Sequence, residues 1–171
     1  MEFKKAHIEE EWMDLVNEFP EFILELSPYV ETWYESMIKH CEKFNLTPIT
    51  KEDLTNLRYG FECSIGWKEL IREYFTEVRK LMQKVELNGH DVHYKTCIFK
   101  EKFGELVDQG DFYGDDRNLY IKEFNEIGKI LYRSNKICEV CGKEATMNRN
   151  GFWMKTLCDV HARERSYTVV G

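Results

Sequence analysis

The 171-residue chain predicts an α+β fold: a mostly helical N-terminal half, a small antiparallel sheet and a compact C-terminal finger. Three observations carry this reading. Apolar residues recur at helical spacing through residues 12–85, β-branched and aromatic residues alternate between 91 and 113, and residues 137–161 read "ICEVCGKEATMNRNGFWMKTLCDVH". The first two patterns are the periods of helix and strand. The third gathers three of the six cysteines and one of the five histidines in one stretch.

In chain order, "EEEWMDLVNEF" places Trp12, Leu15, Val16 and Phe19 on one helical face. "SPYVETWYESMIKHCEKF" opens with Ser27 as N-cap and Pro28 at the first helical position. Val30, Trp33, Tyr34, Met37, Cys41 and Phe44 then form an apolar stripe. Thr50 followed by Asp53 predicts a capped short helix. The strongest periodicity spans 67–85, where Trp67, Leu70, Ile71, Tyr74, Val78, Leu81, Met82 and Val85 recur over five turns until Asn88-Gly89 ends the helix. "DVHYKTCIFKEKF" and "ELVDQGDFY" predict a hairpin turning near Gly104. "RNLYIKEFNEIGKILYRS" returns to helical spacing through Leu119, Phe124, Ile127, Ile130 and Leu131.

The final segment holds Cys138-x2-Cys141 and, after 16 residues, Cys158-x2-His161. A tight turn lets paired cysteine sulfurs face one ion, and Gly142 supplies the backbone freedom for it. "MNR-NG-FWMKTL" reads as two short strands around Asn150-Gly151. Cys158 and His161, three apart, share one face of a helical turn. Turn, hairpin and helix start make a treble-clef-like finger, and Cys3His is a common structural set for Zn2+. The four ligands fill a tetrahedron, so the zinc is expected to be structural. The metalloprotease and deaminase signatures are missing. A His-Asn-His nuclease would need a second histidine, yet His161 is the only one after residue 136. No catalytic residue is assigned.

The chain divides into an acidic helical/α+β body, 1–133, and a zinc-binding module, 134–171. Residues 1–128 carry 16 Lys/Arg against 27 Asp/Glu, while residues 129–171 carry 8 against 4. The −11 body repels a phosphate backbone. The +4 tail leaves Arg149, Lys155, Arg163 and Arg165 as phosphate or partner contacts, with Phe152 and Trp153 as stacking residues. Apolar residues at 43% support a real core. There is no run of 18 apolar residues and no signal-like N-terminus, so a cytoplasmic protein without membrane contact is expected. Clustered cysteines in a reducing compartment favour metal over disulfides. His90, His93 and Cys97 are read as ordinary turn, strand and buried residues, and Asp111, Asp115 and Asp116 as a solvated loop and helix cap. Ser64 has no nearby partner in sequence for nucleophilic chemistry.

Four segments resemble an uncharacterised family of tailed-phage and prophage proteins: "FPEFI" at 19–23, "GFECSIGWKELI" at 60–71, "FKEKFGEL" at 99–106 and the finger at 137–161. Residues 27–57 look like a helical insert relative to that family. Ser64-Ile65 stands where the family carries Gly-Asp, and Leu106-Val107-Asp108 where it carries Leu-Arg-Phe. The resemblance implies a phage origin, a host-cell cytoplasm and a zinc-bound C-terminus, with no established activity. The expected function is a small accessory protein that binds a host or phage protein, as an inhibitor or counter-defence factor. The alternatives are nucleic-acid binding through the basic finger, and an enzyme or small-molecule binder with a cleft near Trp67.

Overall fold

The computed structural model describes residues 10–23, 38–45, 60–96 and 98–170. The fold is α+β, with small antiparallel and mixed sheets and a C-terminal Cys/His cluster. A 3₁₀ turn, Glu10–Trp12, leads into α1 (Met13–Glu18). Trp12, Leu15 and Phe19 are buried, as their spacing predicts. Residues 38–44 are helical, with Cys41 buried and Phe44 exposed. The Ser27 cap, the 30–37 stripe and the Thr50 helix lie outside the described residues.

After β1 (Gly60–Glu62) and a 3₁₀ turn, Ile65–Trp67, comes α2 (Lys68–Leu87). Its buried face is Leu70, Ile71, Tyr74, Phe75, Val78, Leu81 and Val85, and Gly89 ends it at φ 68°. This wide apolar stripe is what a helix lying across a sheet needs. Four strands follow: β2 (His93–Lys95), β3 (Ile98–Lys102), β4 (Glu105–Asp108) and β5 (Asp111–Tyr113). β3 and β4 form the expected hairpin. Phe103 and Gly104 both have positive φ (53° and 83°), the type I′ pattern that matches strand twist. The β2–β5 pair extends the hairpin beyond a break at Thr96 and Gly110. β1 joins the edge parallel to β3, pairing Phe61 with Phe99.

Next, α3 (Arg117–Gly128) passes into a 3₁₀ segment, Lys129–Lys136. Phe124, Ile127, Ile130 and Leu131 pack on the core as their spacing predicts, and only the first position of the stripe differs. Leu119 is exposed, and Tyr120 is buried in its place, receiving the Asn88 amide at 2.7 Å and meeting His90 Nδ1 at 2.7 Å. The polar end of Tyr120 finds partners that Leu119 has no use for. The finger comprises β6 (Thr146–Asn150), β7 (Trp153–Leu157), α4 (Asp159–Glu164) and β8 (Thr168–Val169), with sheet order β7-β6-β8. Asn150 pairs with Trp153, so the turn is Gly151-Phe152, one residue later than Asn150-Gly151. Positive φ at Gly151 and not at Phe152 is the type II′ pattern.

The main core joins Trp12, Leu15, Phe19 and Phe22 to the buried face of α2 and to Tyr94, Phe99 and Leu106. A small separate cluster, Cys138, Ala145, Leu157 and Ala162, lies beneath the finger. No described helix is long and apolar enough to cross a membrane.

Candidate metal centre

Local backbone geometry brings the four predicted ligands together. The Cys138 N–H donates to the Lys143 carbonyl at 2.7 Å, and the Gly142 N–H returns to the Cys138 carbonyl at 2.9 Å. Gly142 closes this knuckle at φ 73°. Cys158 caps α4 in an extended conformation, which sets His161 in the first turn beside it. The ligand atoms of Cys138, Cys141, Cys158 and His161 all lie within 4.8 Å of one another. Among the described residues, this is the one cluster of its kind.

The distances between these atoms test whether an ion fits. A tetrahedral ion at about 2.3 Å from sulfur and about 2.0 Å from nitrogen requires S···S edges of about 3.8 Å and S···N edges of about 3.5 Å. Cys141 Sγ stands 3.8 Å from Cys158 Sγ. His161 Nδ1 lies 3.4 Å from Cys138 Sγ and 3.2 Å from Cys158 Sγ. The residues therefore fit a metal ion, with Nδ1 as the histidine donor. The other ring nitrogen, Nε2, faces the exposed Glu164 carboxylate at 3.9 Å, beyond hydrogen-bond reach. The His161 backbone N–H, followed by its side chain, lowers the Cys158 thiol to about 6. Thiolate is the form that binds metal.

The site is fused to the body. The Gly66 N–H donates to the Glu139 carbonyl at 2.8 Å, and the Trp67 indole N–H donates to the Ile137 carbonyl at 2.7 Å. Glu139 is 1% exposed. It meets Lys155 at 3.1 Å and Arg165 at 3.5 Å, while Lys155 also holds Glu101 at 2.8 Å. Burial raises the Glu139 carboxyl above its ordinary range, against the pull of Lys155. Thr156 donates its hydroxyl to the Gly104 carbonyl at 2.7 Å. The segments "FECSIGW", "FKEKFGEL" and the finger thus meet in one place. Sequence reasoning assigned no contact between them, because their spacing carries no information about docking.

The remaining predicted residues separate into two groups. Phe152 is fully exposed and Trp153 is 74% exposed at the hairpin tip, with Arg149 and Arg163 also facing solvent. Lys155 and Arg165, expected as phosphate or partner contacts, both meet the Glu139 carboxylate. Burying that carboxylate without counter-charge would be costly, so the finger uses two of its own cations to hold it. His93 pairs with Asp91, and the Asp115 and Asp116 loop ties to Asp91 through backbone N–H groups. Cys97 lies outside the described residues. An open cleft of about 540 Å³ does lie beside the Trp67 turn, between the start of α2 and the knuckle. Its charged lining residues are already paired: Lys68 with Asp14, Glu69 with Arg72 and Glu73 with Arg133.

No family model matches the chain, and neither a curated protein nor a solved structure shows significant similarity to it.

Proposed function

We propose that the chain is a small phage-type accessory protein that acts in the host cytoplasm by binding a host or phage protein, with a structural Zn2+ holding its recognition hairpin. The observation that carries this reading is the hairpin tip. A phenylalanine with its whole side chain in water contributes nothing to its own fold, yet large aromatic residues dominate binding energy at interfaces. The turn is only two residues long, and β7 runs directly into the ligand Cys158, which tethers the tip to the metal-ligand segment. A short tethered turn has less backbone entropy to lose than a long loop when its aromatic pair enters a partner's pocket.

Three cysteines and a histidine whose ligand atoms lie within 4.8 Å of one another suit zinc, and together they can fill all four of its positions, which leaves no place for a reacting water. That favours a structural role over catalysis. Nucleic-acid binding is less well supported, because Lys155 and Arg165 are held by Glu139 and the body is strongly acidic. The cleft beside Trp67 presents no unpaired charge to orient a small substrate.

Metal content of tag-free protein should approach one zinc per chain. In co-purification from infected cells, the full-length protein should retain one stoichiometric partner that F152S/W153S loses. Equal retention by the variant would overturn the tip as recognition surface. A salt-sensitive mobility shift with single-stranded DNA would transfer the reading to nucleic acid.

A further inference from the structure

We infer that the metal centre is completed by the body: Gly66 and Trp67 are positioning residues for the metal, and metal occupancy in turn anchors the N-terminal end of α2. This inference rests on the zinc reading above but concerns residues outside the 134–171 module.

The geometry is specific. Glu139 lies between the paired ligands Cys138 and Cys141, and both its backbone polar groups are bound from outside the knuckle. Its N–H donates to the Thr156 carbonyl at 3.0 Å, and its carbonyl receives the Gly66 N–H. The knuckle is therefore clamped between β7 and the turn that starts α2. The approach at Gly66 leaves no room for a side chain. A Cβ there would fall 2.3 Å from the Cys138 carbonyl oxygen, 2.6 Å from the Gly142 nitrogen and 2.7 Å from the Glu139 carbonyl carbon. All three are backbone atoms of the metal-binding turn and cannot rotate aside. One residue on, Trp67 is fully buried in the main core, and its indole N–H holds the Ile137 carbonyl just before the first ligand.

Free energy passes both ways through such a contact. If the body holds the knuckle in its ligating shape, metal binding must stabilise the body by the same amount. The bonds that Gly66 and Trp67 make to this segment are to its backbone, so they act through the chain that carries Cys138 and Cys141. Chelation should therefore loosen the first turns of α2 while its later turns, packed by Val78, Leu81 and Val85, remain protected.

The test uses the full chain. Zinc affinity is measured by competition with a chromogenic chelator, and amide exchange is followed with and without zinc. G66A should lower zinc affinity at least tenfold. W67F, which deletes the indole N–H together with part of the buried ring, should lower it at least fivefold. G128A, where a Cβ meets nothing within 4 Å, should leave it unchanged. Zinc removal should release amide protection at 66–71 as well as at 137–165. Unchanged affinity in W67F, or full protection at 66–71 in zinc-free protein, would overturn the inference while leaving the zinc reading intact. Should G66A fail to fold, W67F decides the matter. Absence of stoichiometric zinc in the wild type would overturn both readings.

Discussion

Asp108 sits at the break between the β3–β4 and β2–β5 pairs, and four donors converge on its carboxylate. Tyr74 and Tyr94 hydroxyls reach Oδ2 at 2.9 and 2.7 Å, while the Thr96 hydroxyl and the Gly110 N–H reach Oδ1 at 2.7 and 2.8 Å. Burial still raises its carboxyl above the ordinary value, and the four hydrogen bonds only partly oppose that shift. A carboxyl whose folded pKa is raised contributes stability that is fully present below its unfolded value and is lost as pH rises through the folded value. The stability advantage of wild type over D108N should thus be larger near pH 4 than near pH 7 in denaturant titrations. A difference that grows with pH would contradict this. Y94F, which deletes one donor to a buried carboxylate, should cost about 1–3 kcal/mol.

At the scale of elements, the finger has a very small core of its own: Cys138, Ala145, Leu157 and Ala162. Metal binding can supply on the order of 10 kcal/mol in zinc fingers, which exceeds what four such residues provide. C141S should therefore lose stoichiometric zinc and disorder the knuckle, hairpin and α4 together, seen as coincident zinc release and loss of far-UV circular dichroism under chelator. The opposite holds at the hairpin tip. F152S removes a side chain that buries nothing, so its unfolding free energy should stay within about 0.5 kcal/mol of wild type in denaturant titrations.

Across the whole molecule, Phe75 is the aromatic hub of the body. It meets Phe19, Phe22, Tyr94 and Phe99 with ring centroids 5.2–6.5 Å apart, joining the N-terminal segment, α2 and the two sheets. F75A should cost about 3–5 kcal/mol by urea denaturation, while zinc affinity changes far less than in G66A, because Phe75 does not reach the knuckle. A variant that unfolds the body and abolishes metal binding equally would mean that body and finger form one inseparable unit.

The elements were largely legible in the sequence because they obey local rules. The 3.6-residue stripe of α2, the turn at Gly104 and the paired ligand spacing each depend on residues close together along the chain. The same reasoning placed Leu119 on the buried face and centred the second hairpin on Asn150-Gly151, each off by one. For Tyr120, distant partners, Asn88 and His90, set the register, whereas the turn was decided by the pairing of its own flanking strands, Asn150 with Trp153. Lys155 read as a free cation because Glu101 and Glu139 are distant in sequence. The amino-acid order was enough to specify four soft ligands suited to one ion and the strand–helix content around them. Packing alone set the knuckle on Gly66, buried Glu139 beneath two cations and left Phe152 in water, since docking depends on shape and charge across segments that the chain separates by as many as 73 residues.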